Sequence, residues 1–369
     1  MYTIYLSLLF LIGGAWVLGS KETGIISSII KKAQAGGFLV VSINYQLCDG
    51  LGVRFPEFLI DCKRALRFIR STVTEKMMNS NLDKINNNSL FSEFEDVERE
   101  GLSSIYKRLN PNDAKPLDIS TIVASGDSAG GHLCQLLSLT SNDVHYQPGF
   151  ETVDTSLIGV IDMFGPSEFH KTRKFAEEIV LGNKDGYLLN EGGSKSLFQP
   201  LSPITYFIQF EEEERSFSSG NSSCKNKVRL IPKLPKLPEY WLCFHGTCDG
   251  LVPIEEGRNF YNHFFRHLSQ NNKINFYPTL ENGYNKFLAK DSCKAIKKSI
   301  RIEAKGSQHG FLGVDCWRSE VCMLGVAVFL RQIVSERGLV EDLDLMLGSD
   351  DDVAEDGGVT VESVSIKVD

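Results

Sequence analysis

The chain has 369 residues, of which 42% are hydrophobic and 23% charged, an ordinary globular composition with ample length for one large α/β domain. A net charge of −8 without any long basic run argues against a nucleic-acid partner. Nine cysteines, odd in number and with no C-x-x-C pair, signal neither a zinc site nor a complete disulfide framework. Cys62 and Cys134 fall in apolar helical patterns and are expected as buried thiols.

Residues 1–19 carry no charge. They read either as a signal peptide or membrane anchor, or as a buried strand over Tyr2–Ile12 that ends in a loop at Gly13-Gly14. The strand is preferred, because no basic residue precedes the apolar run and Gly-Gly interrupts it. The compartment follows from this choice: cytoplasmic for a strand, membrane-associated or secretory for an anchor. Ile25–Ala35 reads as an amphipathic helix, Phe38–Ile43 as a second buried strand and Phe58–Val73 as a long helix. This β-α-β-α order implies a parallel sheet. Residues 75–117 are rich in Asn, Ser and Glu and read as a surface insertion. Further strands are expected at Leu117–Ala124, Leu157–Phe164, Tyr240–Phe244 and Ser299–Glu303. Ser202-Pro203 opens a short helix, Glu255–Ser269 is a second helix and Val321–Val334 the last. Two more variable stretches, 209–236 and 281–298, read as insertions, and the acidic, Gly-rich tail 341–369 as disordered. The domain proper is thus expected to span 1–340.

The pattern turns chemical at Ile122-Val-Ala-Ser-Gly-Asp-Ser-Ala-Gly-Gly-His132. Gly126-Asp127-Ser128-Ala129-Gly130 is G-x-S-x-G between a strand and a helix, the context in which a sharp turn lifts a serine hydroxyl out as a nucleophile. Small residues at 126 and 130 let strand and helix pass closely. A serine hydroxyl needs a neighbouring base. Where this strand-turn-helix motif carries a triad, the chain order is Ser, then Asp or Glu, then His. Of seven histidines, 263, 267 and 309 lie beyond a plausible acid. His263 and His267 sit on a helix and read as surface residues. His309 lies in a Gly-bounded loop after a strand, from which it can reach the C-terminal edge of the sheet. His132, one turn past Ser128, reads as structural. Asp249, in the loop after the penultimate strand, is the expected acid, with Glu255 and Glu256 as fallbacks inside the next helix. Oxyanion donors are expected from the backbone N–H of Ala129 and from the Gly-rich loop Gly13-Gly14-Ala15, where small residues allow close backbone approach.

Four segments together resemble the α/β-hydrolase esterases and lipases of the hormone-sensitive-lipase and feruloyl-esterase-like kind. These are Ile12-Gly-Gly-Ala-Trp-Val-Leu-Gly-Ser-Lys21, Gly126–Gly131, His245-Gly-Thr-Cys-Asp-Gly-Leu-Val-Pro253 and Gly306-Ser-Gln-His-Gly-Phe311. Phe55–Cys62 is similar to the group's helix between oxyanion loop and nucleophile. The resemblance covers roughly residues 8–335 apart from the insertions. It implies an α/β-hydrolase fold and hydrolysis of a small-molecule or lipid-like carboxylic ester through Ser128, Asp249 and His309, with Gly14, Ala15 and Ala129 as oxyanion donors and Gly13 in the supporting loop, without metal or organic cofactor. Amide or formamide hydrolysis by the same residues, and an impaired hydrolase-fold binding or membrane-tethered module, are the alternatives. Two departures are visible. Ile12 stands where the group usually has the His of His-Gly-Gly, which bears on the shape of the loop and removes no backbone donor. The sequence also starts at the oxyanion strand, so the group's earlier strands are not represented and Phe38–Ile43 is expected as an exposed edge.

Overall fold

Leu6–Leu11 is apolar at every position but Ser7 and buried throughout, the pattern of a strand covered on both faces. In this computed structural model, which describes residues 6–22, 27–35, 38–48, 52–78, 121–169, 180, 200–218, 235, 237–271, 299–314, 316–337 and 367–368, that segment is β1. It pairs in parallel with β2 (Phe38–Ile43) on one side and with β3 (Ile122–Asp127) on the other. β4 (Gly159–Met163), β5 (Tyr240–Gly246) and β6 (Ser299–Ala304) continue the parallel sheet in that order. The sheet order is therefore β2-β1-β3-β4-β5-β6, with a two-residue strand β7 (Lys367–Val368) added beside β6.

Alternate side chains of the strands enter two separate cores, because successive Cβ atoms of a strand point to opposite faces. Leu9 and Leu11 of β1 join one cluster with α2 (Glu57–Met78), α3 (Ala129–Leu139), α4 (Pro203–Ser218) and α5 (Ile254–Asn271). Leu8 and Phe10 join the other, with α1 (Ser27–Ala35) and α6 (Trp317–Glu336). The result is the three-layer architecture of an α/β hydrolase, helices on both faces of a parallel sheet.

The chain runs from β1 outward to β2 and then returns across β1 to β3. This reversal opens a crevice at the C-terminal ends of β1 and β3, the place where open α/β sheets take ligands. The loop at Gly13 and the turn at Ser128 leave the sheet at those two ends. β2 is the outermost strand among the described residues, and five of its six positions are half-buried, as expected of an edge.

Several expectations shift. The helix opened by Ser202-Pro203 is not short: α4 runs for 16 residues and takes in 209–218, the start of the second expected insertion. Glutamate is a good helix former, so the acidic run Glu211–Glu214 continues the helix rather than ending it. The last helix starts at Trp317 rather than Val321. β7 falls within the tail expected as disordered. Most of the insertions and the remainder of the tail lie outside the described residues. Cys62 and Cys134 are fully buried free thiols, as expected. No helix among the described residues is long and apolar enough to cross a membrane.

Candidate active site

Ser128 ends β3 and opens α3 with φ 51° and ψ −116°, a conformation that strains any residue with a Cβ. Its N–H donates to Met163 O at 2.8 Å, which ties the turn to β4. The turn is possible only because β3, α3 and β1 meet without side chains between them. A Cβ on Gly126 would lie 2.4 Å from the Gly130 carbonyl, and one on Gly130 would lie 2.0 Å from Leu11 O. The small residues expected at 126 and 130 are therefore demanded by the backbone itself.

His309 reaches this serine from the loop after β6. Its Nε2 lies 2.9 Å from Ser128 Oγ and its Nδ1 lies 2.7 Å from Asp249 Oδ2. The ring packs edge-on against Phe164, at the end of β4, with centroids 4.9 Å apart. An ionised carboxylate only accepts, so the proton sits on Nδ1 and Nε2 is left as the acceptor facing the hydroxyl. Asp249 is held in turn: Oδ1 accepts the N–H groups of Leu251 and Val252, both at 2.9 Å. His245 Nε2 approaches Oδ2 at 3.4 Å while making its closer contact, 2.9 Å, with Val252 O. Burial disfavours the Asp249 charge, but the bonds from His245, His309 and the Val252 N–H outweigh it and hold the carboxyl well below the usual range. The structure thus joins Ser128, His309 and Asp249 in one hydrogen-bonded line built from the ends of β3, β5 and β6.

The loop after β1 closes the other side. Gly14, Ala15 and Trp16 take φ of 128°, 52° and 62°, three successive residues in the left-handed half of backbone space. Three anchors oppose that strain. Gly13 N–H donates to Asp127 Oδ1 at 3.0 Å, the Tyr45 hydroxyl donates to Ile12 O at 2.7 Å, and Cys48 N–H donates to Trp16 O at 2.7 Å. Burial pushes the Asp127 carboxyl up, and the Gly13 N–H opposes that shift. Among the described residues the N–H groups of Gly14 and Ala15 donate to no protein acceptor, and Ala129 N–H lies in the first turn of α3, where helix N–H groups have no intrahelical partner.

A family model, BD-FAE, matches residues 4–86 and 109–213, which is half of the chain and takes in both the loop at Gly13 and the turn at Ser128. The chain belongs to the BD-FAE family. Among curated relatives it is similar to the probable carboxylic ester hydrolase LipM of Mycobacterium tuberculosis, 23% identical over 67% of this chain and 42% of that protein. It is also similar to the esterase LipC of the same organism, 23% identical over 89% of this chain and 59% of that protein. The chain spans about half the length of the curated relatives it matches, or less. Among solved structures, a bifunctional GH43-CE protein of Bacteroides eggerthii superposes with a TM-score of 0.54 at 18% identity, over 89% of this chain and 34% of that one. The native esterase Est2 of Thermogutta terrifontis superposes with a TM-score of 0.52 at 15% identity, over 93% and 85%. At these identities the likeness establishes the α/β-hydrolase fold.

The BD-FAE match ends before Asp249 and His309, so their placement rests on geometry. The fallback acids lie elsewhere. Glu256 is buried with Oε2 accepting the N–H groups of Ser167 and Glu168, and Glu255 is paired on the surface with Arg258. His263 and His267 are not surface residues. α4 covers that side of α5, so His267 is buried and stacked on Phe207, and His263 bonds Glu211 Oε1 at 2.9 Å. The length of α4, greater than the sequence suggests, supplies the cover over both histidines. His132 is fully buried. Among the described residues no cluster of His, Cys, Asp and Glu could hold a metal ion.

Proposed function

We propose that this BD-FAE chain hydrolyses carboxylic esters through an acyl-enzyme on Ser128. The observation that carries this reading is the single imidazole of His309 bridging Ser128 Oγ at 2.9 Å and Asp249 Oδ2 at 2.7 Å. The names carried by the curated relatives, carboxylic ester hydrolase and esterase, agree with it.

Ser128 Oγ attacks the ester carbonyl as His309 Nε2 takes its proton. Negative charge gathers on the carbonyl oxygen and is received by the N–H groups of Gly14, Ala15 and Ala129, which are free to turn to it. Asp249 keeps the His309 proton on Nδ1 and stabilises the imidazolium. His309 then protonates the departing alcohol, leaving an acyl-Ser128 ester. Water attacks that ester with His309 again as base, and the acid and free serine are released. The N-terminus of α3 beneath the site adds its positive pole to the same oxygen. Each proton in this cycle is moved by His309, and no step calls on a further group.

Turnover of short-chain p-nitrophenyl esters by the purified chain, compared with Ser128→Ala, tests the reading. Wild-type turnover with loss in Ser128→Ala is the expected result, and equal rates in the two proteins overturn it.

A further inference from the structure

We propose that Trp16 and His132 are positioning residues for the oxyanion site, joined so that the nucleophile helix itself holds the strained loop after β1 in its donating shape. The inference rests on the ester-hydrolase reading above and extends it to two residues that touch no reacting atom.

The two side chains meet across the crevice. His132 Nε2 lies 2.8 Å from Leu201 O, a carbonyl that only accepts, so Nε2 carries the proton. Nδ1 is then a bare acceptor, and the Trp16 indole N–H donates to it at 3.2 Å. Both groups are buried, Trp16 at 5% exposure and His132 at 0%, so neither has water as an alternative partner. The rings meet edge to face with centroids 5.2 Å apart, and Phe169 packs on both, 5.5 Å from Trp16 and 4.9 Å from His132. Burial also depresses His132 to about 4, so the ring stays a neutral acceptor at every pH above the acid range.

The placement of the pair gives it its consequence. His132 lies one helical turn past the serine, with its N–H donating to Ser128 O at 3.0 Å. Trp16 is the last of the three left-handed residues and directly follows the proposed donors Gly14 and Ala15. A loop of that shape relaxes toward ordinary φ unless its surroundings over-determine it. Ile12 supplies no polar side chain and is buried in the core on the other face of the sheet. The Asp127 and Tyr45 bonds fix only the entry to the loop, at Gly13 and Ile12. At the exit, among the described residues, the backbone bond from Cys48 is joined by one side-chain tether, Trp16 to His132. The oxyanion donors and the nucleophile are thereby referenced to one helix, so that their separation does not drift.

Two substitutions at one site separate positioning from packing. An asparagine places its amide oxygen near the position of a histidine Nδ1, and a glutamine places its amide near that of Nε2. His132→Asn therefore keeps the acceptor for Trp16 and gives up the Leu201 bond, and His132→Gln does the reverse. With a p-nitrophenyl ester, Trp16→Phe and His132→Gln are expected to lower kcat by about 10- to 100-fold, the scale of a small misplacement of reacting groups, with KM nearly unchanged. His132→Asn should turn over about tenfold faster than His132→Gln, and the Trp16→Phe/His132→Gln double variant should be no slower than the slower single. Equal loss in the Asn and Gln variants, or losses that multiply in the double variant, overturn the inference. Fluorophosphonate labelling run alongside keeps the two readings apart. A wild-type chain labelled at Ser128 with equal Asn and Gln rates removes only the positioning role, whereas a wild-type chain that neither labels nor turns over removes the ester-hydrolase reading and this inference with it.

Discussion

His309 Nε2 stands 2.9 Å from Ser128 Oγ although 181 positions separate the two residues in the chain. Nothing local brings them together. Ser128 is fixed by the turn between β3 and α3, and His309 by the loop after β6 and by the Phe164 ring beneath it. Their meeting depends on the whole sheet from β3 to β6. If His309 is the base, His309→Ala abolishes covalent labelling of Ser128 by a fluorophosphonate while leaving the fold intact by circular dichroism. Undiminished labelling would assign the base elsewhere.

Asp249→Asn is expected to leave that geometry in place and still lower kcat by roughly 10⁴-fold, because an amide favours the wrong imidazole tautomer. The same carboxylate carries a pH signature. Its folded pKa lies below the ordinary value of 3.8, so its contribution to stability is full above that value and is lost as pH falls further. Urea midpoints measured downward from about pH 6 should therefore fall more steeply in the wild type than in Asp249→Asn, and parallel curves would count against the hydrogen-bonded carboxylate as a source of stability.

Gly130→Ala tests the turn itself. The new Cβ would sit 2.0 Å from Leu11 O, a backbone atom of β1 that cannot swing aside. Separating α3 from β1 to relieve that contact disturbs both Ser128 and the loop at Gly13. A loss of about 2–3 kcal/mol in denaturant unfolding is expected, together with loss of esterase activity. Wild-type stability in this variant would mean that strand and helix do not approach as closely as described.

Much of this is legible in the amino-acid sequence. β1 to β5 show as apolar runs because parallel strands are buried on both faces, and Ser128 shows because only a narrow set of residues survives the clash around Gly126 and Gly130. Asp249 and His309 follow from chain order and from their positions after β5 and β6. What stayed hidden depends on partners distant in sequence. The Trp16–His132 bond spans 116 positions between two residues that each look like ordinary core aromatics. The burial of His267 requires α4, whose acidic composition suggests a loop rather than a cover. Lys63, a charge at an unremarkable helix position, shows no sign in the sequence of being fully enclosed.

That lysine gives the last prediction. Lys63 is on α2 and is 0% exposed, with Nζ donating to Thr140 O at the end of α3 and lying 3.3 Å from Thr155 Oγ1 and 3.4 Å from Gln147 Oε1. These partners are neutral, and Asp143 supplies the opposing charge that favours the ammonium. Burial wins and depresses the amine from 10.5 to about 7. Between those two values the unfolded chain holds the proton more tightly than the folded one, so this group makes stability rise with pH across that window. Lys63→Met removes the titration while leaving every other ionisable group in place. The stability of the wild type relative to the variant is therefore expected to grow by about 2 kcal/mol between about pH 7 and about pH 8.5, read as the difference in urea unfolding free energy. Comparing the two proteins cancels the buried cysteine and tyrosine groups, which titrate in both. A difference that does not change with pH would show that Lys63 keeps its ordinary charge inside the fold.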